Sequence, residues 1–516
     1  GRIIKSFGFG DDALDAYSIL YEYGLSTEFE EEVEEEAAKI KSVIKKEEIK
    51  KRRDMRGTMT FTIDPVDAKD FDDAISFKVL GENKYEVGVH IADVSHYVTP
   101  GSKIDEEAQN RATSVYLVDR VIPMLPETLS NNLCSLRPNE EKLTFSAVFV
   151  MKKNGEIIEE WYGKTVTESD CRLSYEEAQY IIENETTTIP KEETILKEEK
   201  RVTQKIVEAI ATLNSIAKTI RNKRINNGAL IFDKSEIKFK LDEKNQPVKI
   251  LFKTAKSANK LIEEFMLLAN KKVAEKMKQS NERFVYRVHD QPDHEKLENL
   301  QTIVKRLGYN LKLSSSELNG SLNDLLKKVF GKNEQNLIDT LMIRSMSKAE
   351  YTTKNIGHYG LSFENYTHFT SPIRRYPDVL VHRLIQAEIE KKKIKTEEIE
   401  TLCKHSTHME ILATKAERDS IKLMQIKYML DKEGQIFDAV ISGVIARGVF
   451  VEVVENKCEG MVKAKDLPGD YFVHDQKNHR FVGEKTGKKY QLGDKTRVML
   501  VKADKIKKRL DFQVLS

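Results

Sequence analysis

The sequence predicts a mixed α/β domain followed by a small all-β barrel, and three patterns carry that expectation. Tyr85, Val87, Val89 and Ile91 alternate with polar or small residues, and 143–150 does the same, the period-two signature of half-buried strands. Long stretches with helical spacing then dominate, over 198–221, 260–279, 294–307 and 397–430. After Gly434 the chain turns to short, glycine-punctuated strands over 435–444, 449–454, 460–463 and 496–503, spacings that suit a closed barrel.

In chain order, residues 1–55 read as a helical, charged connector. The stretches 13–23 and 29–49 have helical spacing and no proline, but they are too short and too charged to hold a core. The segment is therefore expected to link to a partner domain upstream, with the chain itself a fragment. Strand patterning begins at Thr58 and opens one large domain over 56–430. The barrel takes 434–516.

Composition narrows the class. The 516 residues are 40% apolar and 33% charged, a globular balance. No apolar run approaches the roughly 18 residues of a membrane span, and the N-terminus has no secretory pattern. Cys134, Cys171, Cys403 and Cys458 lie far apart with no CxxC pair, which argues against zinc ribbons and disulfides and for reduced thiols in the cytoplasm. A net charge of +2 proposes no nucleic-acid partner by itself. Its distribution says more. The acidic run 28–36 reads as a solvated helix face, whereas the basic runs 45–53 and 502–509 flank functional-looking segments and are expected to attract RNA locally.

The sharpest local signal is Ile63-Asp64-Pro65-Val66-Asp67-Ala68-Lys69-Asp70-Phe71-Asp72-Asp73-Ala74, with five aspartates in ten residues. Like charges at this density repel, so an isolated cluster is most simply a solvated turn. Here Phe61, Ile63, Phe71, Ala74, Ile75 and Phe77 brace it against a core. Converging carboxylates relieve their repulsion by holding divalent cations, and magnesium takes hard oxygen ligands of this kind. Two such ions can activate water and stabilise the leaving oxygen of a phosphodiester. A calcium loop is excluded because its spacing and terminal glutamate are absent.

Some 300 residues on stands Tyr366-Thr367-His368-Phe369-Thr370-Ser371-Pro372-Ile373-Arg374-Arg375-Tyr376-Pro377-Asp378. Arginine's planar fork matches phosphate oxygens, and two prolines fix the turn that presents the pair. Arg374 is assigned to phosphate. Arg375 is the better candidate for a structural ion pair with Asp378 or Glu364, although its place in the pair keeps it among the RNA-contact candidates.

These segments, with His90-Ile91-Ala92-Asp93-Val94, Ile122-Pro123-Met124-Leu125-Pro126 and Leu133-Cys134-Ser135-Leu136, closely resemble the ribonuclease II/R (RNB) family, in order and over nearly the whole chain. The 370–378 and 90–94 segments are nearer its ribonuclease R branch. The resemblance implies an RNB catalytic domain at 56–430 and a hydrolytic 3′-to-5′ exoribonuclease that releases nucleoside 5′-monophosphates from single-stranded RNA with a free 3′ end, as a monomer. It implies that Asp64, Asp70, Asp72 and Asp73 hold magnesium (or manganese) and its attacking water, and that Arg374 contacts phosphate. It further implies that Tyr116 and Phe232 clamp the terminal bases, and that Glu264 and, more weakly anchored, Glu417 lie along the RNA. His90 and His382 are expected to be structural. The family's upstream cold-shock-type domains and downstream basic tail have no counterpart in these residues, which leaves the handling of duplexes open. A non-catalytic RNA binder of the same fold, or a ribonuclease II-like enzyme that stalls at duplexes, are the alternatives.

Gly434-Gln435-Ile436-Phe437, Gly448-Val449-Phe450-Val451 and Glu459-Gly460-Met461-Val462 resemble an S1 RNA-binding domain, which implies a five-stranded OB-fold barrel. Val449, Val451 and Val453 alternate inward and place Phe450 on the outer face, where an aromatic suits base stacking. The Lys-, His- and aromatic-rich stretch 469–491 is expected to be a basic, mobile loop near the RNA path.

Overall fold

The computed structural model describes residues 13–231, 235–280, 282–314, 317–332, 334–393 and 397–515. Its centre is a seven-stranded mixed sheet in the order Arg53–Asp54, Ile157–Glu168, Glu141–Met151, Lys84–Ala92, Asp73–Gly81, Thr60–Asp64 and Cys171–Ser174. The inner pairs are antiparallel and the two edge pairs parallel. The alternation at 85–91 was legible because Lys84–Ala92 is central: Val87, Val89 and Ile91 are fully buried on one face. The main core lies between this sheet and the helices Gln204–Asn226, Ser257–Gln279 and Tyr376–Glu390.

One feature of the register builds the site. Thr60–Asp64 pairs with Asp73–Gly81 only at Thr60↔Ser76 and Phe61↔Ile75. Beyond that point the strands part, and the loop 65–72 fills the gap. Asp64 closes one strand and Asp73 opens its neighbour.

Several elements depart from expectation. The helical stretch 29–49 is broken into Glu31–Lys39 and Lys46–Ile49. Lys41, Ser42 and Val43 are all exposed, so nothing buries a continuing helix face there. The helix expected from 198 begins at Gln204, because Thr203 caps it through the Ile206 N–H while Lys200–Arg201 pairs as a strand with Thr188–Ile189. The connector is no loose lead-in: Ala13–Glu22 buries Ile19 and Leu20 with Ala416 and Leu423 of the long helix Ile399–Met429.

The C-terminal strands close into a five-stranded barrel, Ile436–Ile445, Gly448–Val453, Glu459–Lys463, Arg509–Val514 and Lys495–Asp504. Arg509–Val514 was not anticipated, although Leu510, Phe512 and Val514 alternate inward. The expected mobile loop 469–491 is instead an antiparallel sheet, Phe472–Asp475, Arg480–Gly483 and Lys489–Gln491. Phe472, Phe481 and Tyr490 anchor it in the barrel core. Among the described residues, no helix is long and apolar enough to cross a membrane. All four cysteines are free thiols.

Candidate active site

The aspartate loop is shaped by neutral groups and one arginine rather than by its own charges. The Ser135 hydroxyl accepts the Phe71 N–H at 3.0 Å and donates to the Lys69 carbonyl at 2.7 Å. The Leu136 N–H donates to the Phe71 carbonyl at 3.0 Å. Arg172, lying over the Phe71 ring at 4.6 Å, donates to the carbonyls of Pro65, Val66 and Ala68. The Leu133–Leu136 segment is thus the splint for the loop.

Asp72 is 5% exposed and reaches across the chain: its Oδ1 accepts the Ile373 N–H at 2.9 Å, and its Oδ2 lies 3.7 Å from Arg374 Nε. The two sequence signals, 301 residues apart, therefore meet in one place. The Ser114 N–H donates to the Arg374 carbonyl at 3.0 Å, which ties the two-residue strand Val115–Tyr116 to the same turn. Tyr116 stands beside Asp70, where its phenol favours the charged carboxylate, and 36% of the residue remains exposed.

Electrostatically the cluster is under pressure. Burial, with the Asp73 charge behind it, pushes the Asp64 carboxyl well above the usual carboxylate range. Burial does the same at Asp72, against the opposing pull of Arg374. Asp70 is raised by burial too, and Asp73 is pushed up to about 6. Asp64 Oδ2 is buried without a hydrogen-bond partner. Carboxylates that resist ionisation and leave an oxygen unsatisfied are the donor set a divalent cation relieves. Among the described residues no three His, Cys, Asp or Glu side chains converge as a ready-made cage.

The other expected contacts fall out unevenly. Arg374 is 44% exposed and bonds only loosely, to the Ser371 hydroxyl at 3.2 Å, which leaves its fork open. Arg375 grips Asp378 at 2.9 and 2.8 Å, the structural ion pair expected of it, and its remaining donors decide whether it also touches RNA. Glu264 is 1% exposed and its carboxylate is held by Arg224 and Arg221. Glu263, at 47% side-chain exposure, is the more open carboxylate on that wall. Glu417 is exposed on the long helix and sits near Lys238 and Glu236, not among the aspartates. Phe232 lies outside the described residues. Phe450 is half-buried on the outer barrel face, its ring against Gly443 opposite. His90 and His382 are fully buried, bonded to the Ser146 hydroxyl and the Phe369 carbonyl.

One neighbour of the cluster was missed. Tyr175, first residue of the helix Tyr175–Asn184, faces Asp73 and Asp64, and burial followed by those charges raises its phenol. The signal was thin: an aromatic just after Ser174, which caps that helix through a reciprocal bond with Glu177.

The fold and the site together define a class: a two-part protein whose large α/β domain presents buried carboxylates beside an open arginine, joined to an OB barrel. The RNB domain family matches residues 52–391 and the S1 RNA binding domain family residues 430–515, so the chain belongs to the RNB family. Among its relatives is ribonuclease R of Aquifex aeolicus, 37% identical over 520 residues, covering all of this chain and 72% of that protein. Ribonuclease R of Thermotoga maritima is 38% identical over 523 residues, covering 99% and 72%. The solved structure of Mycoplasma genitalium RNase R in complex with ribose-methylated single-stranded RNA superposes with a TM-score of 0.90 at 27% identity, over 98% of this chain and 78% of that one.

Proposed function

We propose that the chain is a metal-dependent, hydrolytic 3′-to-5′ exoribonuclease that shortens single-stranded RNA to nucleoside 5′-monophosphates. The observation that carries this reading is Asp72: a buried carboxylate fixed by the Ile373 backbone and set beside the open fork of Arg374. Magnesium, or manganese in its place, would be held by Asp64, Asp70, Asp72 and Asp73 and would supply an activated water and charge neutralisation at the phosphate. The protein groups do the rest. The Ile373 N–H and Arg374 hold Asp72 in one orientation, so the carboxylate needs no rearrangement when substrate arrives. Arg374 offers its guanidinium to the scissile phosphate. Tyr116, held beside Arg374 through the neighbouring Ser114 N–H, presents a ring to the terminal base, with Phe232 the proposed partner across it. The RNB domain is proposed to run over 56–430 and the S1 domain over 434–516, the latter gripping RNA upstream. We place the protein in the cytoplasm as a monomer.

The test uses a 5′-labelled oligoribonucleotide of about 20 residues, long enough to reach from the site to a barrel-sized platform. With magnesium, mononucleotides are expected to leave the 3′ end, and the activity is expected to vanish on chelation and in Asp72→Asn. A deoxyribo-oligomer of the same sequence should persist. RNA that binds and stays intact with every metal would replace the catalytic reading with that of a binding protein.

A further inference from the structure

The described residues hold one basic surface that neither the aspartate site nor the barrel accounts for. The strands Glu236–Leu241 and Pro247–Lys253 form an antiparallel ribbon with its own two faces. One face, Ile237, Phe239 and Ile250, packs toward the barrel core and Ile426 and Met429 of the long helix. The other carries Lys238, Lys240, Lys249 and Leu251, all exposed. Lys240 stands directly across from Lys249, and Lys238 across from Leu251.

That arrangement is costly to the fold. Like charges directly opposed on a ribbon repel. None of the three lysines has an ion pair among the described residues, and the acidic groups near Lys238 are Glu236 and Glu417. At the base of the ribbon Lys253 pairs with Glu176, and at the tip Asp242 accepts the N–H groups of Lys244 and Gln246. Lys240 and Lys249 are thus left opposed to each other, while Lys238 has Glu236 and Glu417 nearby. Leu251, 42% exposed, sets an apolar side chain among the charges.

We infer that this face binds the phosphate backbone of the RNA strand upstream of the cleavage site, which extends the proposed exonuclease reading and rests on it. Residues two apart on a strand stand about 6.8 Å apart, so Lys238 and Lys240 form a regular row of point charges along the ribbon. Ammonium groups grip phosphate without reading sequence, as an enzyme that must release each position requires. The position fits: at the ribbon's base Lys253 pairs with Glu176 at 2.5 Å, the residue after Tyr175, which stands beside Asp73 and Asp64.

The experiment measures binding, separately from turnover, in the Asp72→Asn protein. Fluorescence anisotropy follows a labelled oligoribonucleotide of about 20 residues from 50 to 300 mM salt, for this parent and for Lys238→Ala/Lys240→Ala/Lys249→Ala built on it. Each phosphate contact adds about 0.7 to the log–log salt slope, so the triple variant should lose about 2 from the slope and about tenfold or more in affinity. An RNA of about four residues, too short to span both regions, should lose much less. Thermal midpoints of parent and variant should match or favour the variant, because an opposed like-charge pair has been removed. Lys240→Gln, which keeps the side chain's stem, serves if the triple variant folds poorly, and should lose about 0.7 from the slope. A parent that binds RNA with a slope unchanged in both variants overturns the ladder and leaves the nuclease reading intact. A parent that does not bind RNA at all overturns both.

Discussion

Replacing the two adjacent arginines separately tests whether one serves the chemistry and the other the fold. Arg375 holds Asp378 through two bonds of 2.9 and 2.8 Å, and Asp378 is fully buried. Asp378 also accepts the Ser371 N–H at 2.8 Å, so it orders the turn that presents Arg374. Arg375→Ala leaves a buried carboxylate with a single backbone donor, a change that costs about 3–5 kcal/mol. Unfolding entropy of about 2.1 cal/mol/K per residue gives about 0.7 kcal/mol/K for the domain spanning 52–391, so its midpoint should fall by about 4–7 °C. Arg374→Ala removes a half-exposed side chain with one long hydrogen bond, and should move the midpoint by under about 1 °C. It should instead lower kcat/KM on RNA by about a hundred- to a thousandfold, the usual loss when a donor aimed at developing charge is removed. Scanning calorimetry reads the first effect and release of mononucleotides from 5′-labelled RNA, well below both midpoints, reads the second. Arg375→Met/Asp378→Leu, which removes both charges and fills the space, should recover much of the lost stability. A normal midpoint in Arg375→Ala, or normal turnover in Arg374→Ala, refutes the division of labour.

Three further outcomes follow from buried or half-buried groups. Burial pushes His90 down to about 3, against about 6.5 when unfolded, so between those values only the unfolded chain takes the proton and stability falls as pH falls. At pH 5 this costs about 2 kcal/mol, and His90→Asn should flatten the pH dependence of the urea midpoint by that amount; an unchanged slope would sink the argument. At Asp73 the sign reverses with pH: its carboxyl is raised to about 6, so the charged form destabilises the metal-free protein as pH rises from about 4 through 6. Asp73→Asn, in chelator at pH 7.5, should gain at most about 3 kcal/mol, or about 4 °C, with no gain at pH 4 and with cleavage abolished. Phe450→Ala should weaken binding of long RNA by about tenfold with little change in midpoint, since the ring is half-exposed over Gly443; equal affinity would make it a rim residue only.

What the sequence disclosed and what it withheld divide along physical lines. The aspartate loop and the Tyr366–Asp378 segment were legible because each packs unusual residue types into a few positions. Their meeting was not, since the Ile373 N–H that fixes Asp72 is a backbone group and carries no residue signature. Ser135 and Arg172 were invisible as splints for the same reason: they bind carbonyls of the loop, not its charges. Glu264 was expected along the RNA, and helical spacing alone gives no sign that Arg224 draws its carboxylate inward. The sheet over 472–491 was hidden by composition. Lysine and histidine between Phe472, Phe481 and Tyr490 suggested a loop, yet three anchored aromatics suffice to hold three short strands.

The charge runs divide their residues between the fold and the surface. Within the basic run 45–53, Arg52 is buried against Asp93 at 2.8 Å and Glu48 at 2.8 Å, and Arg53 pairs with Glu86 while lying over Trp161. Within 502–509, Lys505 reaches Asp15 and Lys508 reaches Glu22, which fastens the barrel to the first helix. Part of each run is therefore spent on the fold, while Lys45, Lys46, Lys50 and Lys51 stay exposed. The lysines of the ribbon never form a run, because each is separated from the next by an inward apolar residue. Period-two spacing turns them all to one side, and the turn brings Lys249 to join them. A usable phosphate surface is set by the periodicity of charge relative to the element that carries it, and in this chain the dense basic runs are divided between fold contacts and solvent while the sparser, alternating one faces solvent.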